Sequence, residues 1–170
     1  MKNKIMKFTR LLLISCLVFI SGCGYTTKAY NLPSNIKTIY IDSFENKSDQ
    51  PNLENELRIK LAQAFQDEGH IKLVEKAEAD TILTGKINSY DRQAMRYAND
   101  ETIEEYRISL TVDFEFKQRV SGEIIVKANS FYADTSYYLS GSLAKSEKSA
   151  RTEAIEELAH RILNKIVTLW

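Results

Sequence analysis

The clearest pattern in the chain lies between residues 106 and 117. Tyr106, Ile108, Leu110, Val112, Phe114 and Phe116 alternate with Arg107, Ser109, Thr111, Asp113, Glu115 and Lys117. A two-residue period puts the two sets on opposite sides of a strand, so one sheet face is apolar and the other polar. At about 3.4 Å per residue this predicts a strand roughly 40 Å long. Before it, residues 80–90 (DTILTGKINSY) read as a second main strand running on toward Tyr97, and ANDET (residues 98–102) breaks the chain into a hairpin. VSGE (residues 120–123) turns it again, and residues 124–133 form the last strand. Residues 36–44 (IKTIYIDSF), rich in β-branched and aromatic types, predict strand one. HIKLVE, residues 70–75, suits a short strand leading into the core.

Two stretches follow the helical period instead. Leu53, Leu57, Leu61, Ala64 and Phe65 recur at three- and four-residue steps, predicting a helix over residues 53–68. Asn52 is the expected N-cap, Glu54 and Glu56 stand near the positive helix start, and Gly69 is the expected stop. Residues 45–52 (ENKSDQPN), with turn chemistry throughout, link strand one to this helix. The second helix starts at Leu143 or Ser146 and runs to Leu169. Ile155, Leu158, Ile162, Ile166 and Leu169 share its apolar side, with Arg151 at the solvent edge. The order is β-α-β-β-β-α. It predicts an α+β two-layer sandwich, with two helices packed on one face of a four-stranded mixed sheet.

The first residues follow neither period. Lys2, Lys4, Lys7 and Arg10 precede a short apolar run, residues 11–20, broken only by Ser15 and Cys16. The run is too short for a comfortable bilayer span, which takes about 20 residues. A charged start, a short apolar centre and a small-residue exit describe a bacterial secretion signal. The exit, Ile20-Ser21-Gly22-Cys23, resembles the lipobox of bacterial lipoproteins: an aliphatic residue, two small residues, then Cys. Small residues let the backbone enter a peptidase site, and the thiol takes a diacylglyceryl group. The opposing reading, a core or disulfide cysteine, needs a partner, and the only other cysteine is Cys16, inside the apolar run. The expected organisation is therefore a signal peptide over residues 1–22, an acylated Cys23 heading a tether over 23–35, and one domain over 36–170. Two or three acyl chains hold a protein stably to a membrane. Gly24, where enteric sorting rules would place an Asp for retention, favours the outer membrane.

Removing residues 1–22 leaves 148 residues, enough for one real core, and takes away four positive charges and no acid. The remaining formal charge is −4, and nothing indicates a general nucleic-acid surface. Little catalytic chemistry is visible. Neither His70 nor His160 has a Cys or His at metal-ligand spacing. No phosphate-binding glycine loop, G-x-S-x-G elbow or H-E-x-x-H is present. The many carboxylates alternate along a strand or cluster on helix faces, as solvated acids do. The expectation is a binding or scaffold protein, not an enzyme, with no cofactor and no metal.

Taken in order, CGY (residues 23–25), LP (32–33), IKTIYIDSFENKSDQPNLE (36–54), ADTILTGKINSY (79–90), EYRISLTVDFEF (105–116) and the Ala/Glu-rich closing helix resemble the LPS-assembly lipoprotein family, LptE. The resemblance implies two helices on one face of a four-stranded sheet. It implies a non-catalytic plug inside the outer-membrane β-barrel LptD, assisting its assembly and passing lipopolysaccharide to the outer leaflet. In some members basic residues near one end of the sheet contact lipopolysaccharide phosphates. Arg96, beside the hairpin turn, matches that position, and Lys145, at the start of the last helix, matches it more loosely. The bland alternative for both is an ordinary solvated turn. A rival resemblance rests on IYIDSFENKS (residues 39–48), which is similar to the strand-to-turn entry of the CsgG and LpoB lipoproteins, a secretion component and an activator of a cell-wall synthase. Those domains need more strand–helix alternation than the long meander over residues 80–133 provides.

Overall fold

The computed structural model describes residues 36–168. The expected signal peptide, the tether with Cys23, and the last two residues, Leu169 and Trp170, lie outside the described residues. The elements in order are β1 (Thr38–Ile41), β2 (Glu45–Asn46), α1 (Leu53–Glu68), β3 (Lys72–Leu73), β4 (Thr81–Tyr97), β5 (Ile103–Gln118), β6 (Ile124–Tyr138) and α2 (Glu147–Thr168).

The α+β class and the mixed sheet stand as expected, but the sheet has six strands, not four. Its order is β3-β1-β4-β5-β6, with β2 also paired to β4. β1, β2 and β3 join by parallel pairing, whereas β4, β5 and β6 form an antiparallel meander. Of the two-residue strands, β3 lies within the short strand expected over residues 70–75, and β2 is too short to show a period. β2 arises because strand one does not run unbroken to Phe44. Gly85 of β4 lacks a Cβ, and the Phe44 ring fills that space; a Cβ there would lie 2.5 Å from it. The chain leaves the sheet after Ile41 and joins β4 at Glu45.

α1 has the predicted bounds, and Gly69 ends it at φ 80 with its N–H donating to the Phe65 carbonyl. Asn52 is not a side-chain cap. It takes a left-handed φ of 68, and its carbonyl accepts the Glu56 N–H at 3.1 Å. Asn46 organises the turn instead. Its side-chain amide donates to the Gln50 carbonyl and to Glu54, both at 2.9 Å, and its side-chain oxygen accepts the Ser48 hydroxyl at 2.7 Å. α2 starts after Ser146, whose hydroxyl accepts the Ser149 N–H at 3.1 Å, so Ser146 is the cap and Leu143 lies in the preceding turn. β6 continues five residues past the expected end at Ala133, because Asp134 and Ser136 keep the alternation with Thr135 and Tyr137.

Leu57, Leu61 and Phe65 of α1 and Leu158, Ile162 and Ile166 of α2 pack on Ile39, Leu83, Leu110 and Phe114 of the sheet, all buried. Both helices thus cover one face. Arg151, expected at a solvent edge, instead reaches across to Glu56 of α1 with two hydrogen bonds of 3.3 Å, and Lys60 meets Glu156 at 2.7 Å. Asp113 holds the polar face. Its register partners show one extra residue at Asn88 in β4 and extra residues near Ser130 in β6, two bulges level with each other.

Candidate functional site

The strand register brings the two sequence-predicted contact residues to one end of the sheet. Arg96 of β4 stands opposite Glu105 of β5, Glu105 opposite Tyr138 of β6, and Tyr138 bridges to Ala144, next to Lys145. The row crosses three strand spacings, roughly 14 Å at about 4.8 Å each. The Lys145 N–H donates to the Tyr138 carbonyl at 3.1 Å, which fixes the loop before α2 on this row.

Carboxylates outnumber cations at this tip. The Arg96 side chain is 60% exposed and meets Glu105 only at 3.8 Å. Lys145 is 27% exposed and ion-paired to Glu153 of α2. Asp100, Glu101 and Glu104 stand in and beside the hairpin turn. Arg96 is therefore the more available of the two cations, and Lys145 has to leave a carboxylate to reach a ligand.

Sequence reasoning missed the assembly that supports the tip. Glu147, the first residue of α2, accepts the Tyr90 hydroxyl at 3.1 Å and is ion-paired to Arg92, both on β4. The Arg92 guanidinium lies 4.9 Å from the centre of the Tyr106 ring, which stacks on Tyr137 at 5.7 Å. Burial raises the Tyr90 hydroxyl above its ordinary pKa, with the Glu147 charge adding to the effect. The contact joins residues 55 positions apart, so no local pattern signals it. It ties the β4 segment bearing Arg96 to the loop bearing Lys145.

A second feature is a groove of about 270 Å³ on the open sheet face, lined by Glu45, Lys86, Asp113, Glu115 and Lys127 among others. Its charges neutralise one another: Lys86 meets Asp113 at 3.2 Å and Lys127 meets Glu115 at 2.7 Å. Among the described residues no group of three or more His, Cys, Asp or Glu side chains is arranged to hold a metal. No described helix is long and apolar enough to cross a membrane.

The fold is similar to solved structures at low identity. A minor lipoprotein from Acinetobacter baumannii is 19% identical, with 77% of this chain and 92% of that one covered and a TM-score of 0.50. A hypothetical protein from Chlamydia trachomatis is 12% identical over 77% of this chain and 98% of its own, at 0.51. At these identities the likeness shows the fold alone. No curated protein sequence matches the chain. The model of one family matches residues 36–169, from strand one to the closing helix, and by that match the chain belongs to the lipopolysaccharide-assembly family LptE.

Proposed function

We propose that the chain is a non-catalytic outer-membrane lipoprotein. In this reading it is anchored through acylated Cys23, stands within the barrel LptD, and assists both assembly of the barrel and passage of lipopolysaccharide to the outer leaflet. The family match over the whole described domain carries this reading. The structure supports it physically. The core part of one sheet face is covered by the helices, and the other face carries paired charges of both signs, compatible with a water-filled lumen. At the tip, a lipopolysaccharide phosphate would take the place of Glu105 beside Arg96, forming a charge-assisted hydrogen bond. Lys145 is the second contact.

The deciding experiment is purification of the tagged full chain from membranes. A large outer-membrane barrel protein at equal stoichiometry is the expected companion, and a stable complex with a peptidoglycan synthase would overturn the assignment. Mass spectrometry of the same material is expected to find an acylated Cys23 as the first residue; an unmodified chain retaining Met1 refutes the anchor. Arg96→Asp is expected to weaken lipopolysaccharide binding several-fold without changing the melting temperature. If wild type binds no lipopolysaccharide, the ligand role fails while the barrel role stands on the purification.

A further inference from the structure

No excess of positive charge marks the tip, but apolar exposure does. Eight large apolar side chains are exposed among the described residues. Four of them stand here: Met95 (43%), Tyr97 (60%), Leu139 (51%) and Leu143 (70%). They come from two segments that the register brings together. Tyr97 is opposite Ile103 on one side of β5, and on the other side the Leu139 N–H donates to the Glu104 carbonyl at 3.0 Å. Two strand spacings, about 10 Å, therefore separate their backbones. Leu143 precedes Ala144, which bridges to Tyr138. Folding does not require these residues. α2 begins only at Glu147, Met95 occupies a bulge between Ala94 and Arg96, and Leu143 lies in a turn, where polar residues serve as well.

Each cation is a sequence neighbour of these apolar residues. Arg96 lies between Met95 and Tyr97, and Lys145 follows Leu143-Ala144. The arrangement matches an anionic amphiphile whose phosphate is joined to fatty chains. Tyrosine suits such a boundary because its ring is apolar and its tip polar, and the stems of Arg and Lys can lie along methylenes. Exposed ion pairs contribute little by themselves, and each tip cation already has a carboxylate neighbour, so phosphate contact alone would hold a ligand weakly.

We propose that Met95, Tyr97, Leu139 and Leu143 form an acyl-chain contact, receiving the fatty chains of lipopolysaccharide while Arg96 and Lys145 stand at the level of its phosphates. The inference rests on the lipopolysaccharide reading above and adds which part of the molecule is gripped. The position of the tip fits. Ile39, near the start of the described chain, shares a row with Thr81 and Gln118 at the opposite end of the sheet. From Thr81 to Tyr97, β4 spans roughly 50 Å at about 3.3 Å per residue. A bilayer with its headgroups is about 40–45 Å thick. If the long strands stand along the membrane normal with the N-terminal end at one leaflet, that length is enough for the tip to reach the level of the other.

Site-specific photocrosslinking in the full chain, in its own membrane, tests this. A benzophenone amino acid replaces Leu139, Leu143 or Tyr97, with Val120, exposed at the opposite end of the sheet, as control. Adducts are detected with antibody to lipopolysaccharide and then hydrolysed to separate acyl chains from sugar. The expected result is several-fold more adduct at 139, 143 and 97 than at 120, with peptides that keep a fatty-acyl mass and lose the sugar. Equal adduct at 120, or peptides that keep sugar and no acyl chain, overturns the acyl contact and leaves lipopolysaccharide binding standing. Absence of lipopolysaccharide adducts at every position, with the protein expressed and membrane-bound, sinks both.

Discussion

Asp113→Ala is expected to cost about 2 kcal/mol, and the loss traces to three contacts. Asp113 Oδ1 accepts the side-chain amide of Asn88 at 2.8 Å and the backbone N–H of Ser130 at 2.7 Å, while Oδ2 faces Lys86 at 3.2 Å. Hydrogen bonds to a charged acceptor contribute about 1.5–3 kcal/mol each. The Asp113 side chain keeps 24% of its exposure and Lys86 42%. Solvent screening therefore puts the two hydrogen bonds at or below the lower end, and the ion pair adds well under about 1 kcal/mol. Both donors sit at the bulges of the neighbouring strands, and Ser130 is held at a left-handed φ of 50. Asp113→Asn keeps one acceptor oxygen without the charge and is expected to cost about 1 kcal/mol. Urea unfolding followed by far-UV circular dichroism reads this out: with a slope of about 2 kcal/mol/M, the Asp113→Ala midpoint falls by about 1 M. The Ser130 N–H, ahead of Lys86 and Asn88, holds the Asp113 carboxyl below its usual range. A carboxyl with a lowered folded pKa adds stability above its unfolded value of about 3.9, and that stability disappears as pH falls through the folded value. The gap between wild type and Asp113→Asn should therefore close as pH drops below about 4. An Asp113→Ala midpoint within about 0.2 M of wild type, or a gap independent of pH, would refute the reasoning.

Two further substitutions probe other contacts of β4. Gly85→Ala puts a Cβ 2.4 Å from the Asp113 carbonyl oxygen and 2.5 Å from the Phe44 ring. Phe44 can turn but the backbone oxygen cannot, so a loss of about 2–3 kcal/mol is expected, read as a fall in melting temperature of about 5 °C or more. Arg92→Ala removes the ion pair to Glu147 and the stacking on Tyr106. It should cost about 1 kcal/mol and speed amide hydrogen exchange in the first turns of α2 while leaving α1 unchanged; uniform acceleration across both helices would show that the contact does not act locally.

The elements that the sequence revealed are those whose burial follows one period without interruption. β5 buries Ile108, Leu110, Val112, Phe114 and Phe116 in strict alternation, and α1 buries Leu53, Leu57, Leu61, Ala64 and Phe65 along one stripe. What stayed hidden depends on contacts across the chain. β2 exists because β4 offers it a partner, and its two residues cannot announce a strand, whereas β3 falls inside the short strand expected over residues 70–75. The bulges at Asn88 and Ser130 depend on Asp113, and Arg92 finds Glu147 only after β4 and α2 are packed. At the tip, Arg96 and Lys145 were visible one at a time. Their common row follows from the β4–β5–β6 register, which hydrophobic pattern alone does not fix where the bulges intervene. A signal for the apolar tip was present in Leu139 and Leu143, two large apolar residues in a segment otherwise rich in Ser and Gly.

The bare tip follows from the different rise of helices and strands. α1 has 16 residues and α2 has 22. At about 1.5 Å per residue they are roughly 24 and 33 Å long. β4 has 17 residues, and at about 3.3 Å each it reaches roughly 55 Å. No helix of these lengths can cover such a strand, so some 20 Å of sheet must stand beyond the helical layer. The burial of β4 shows where: Thr81–Leu83 and Ile87 are buried, and Asp91, Arg92, Gln93 and Met95 are exposed. What holds the outer segment is correspondingly tolerant of water: the Tyr106–Tyr137 stack, the Arg92–Glu147 pair and main-chain pairing to β5. The core therefore places few demands on the residues beyond Tyr90. Met95, Tyr97, Leu139 and Leu143 stand outside the packed core, so substitutions there test the proposed acyl contact without removing buried packing, as substitutions of the buried leucines of α1 would.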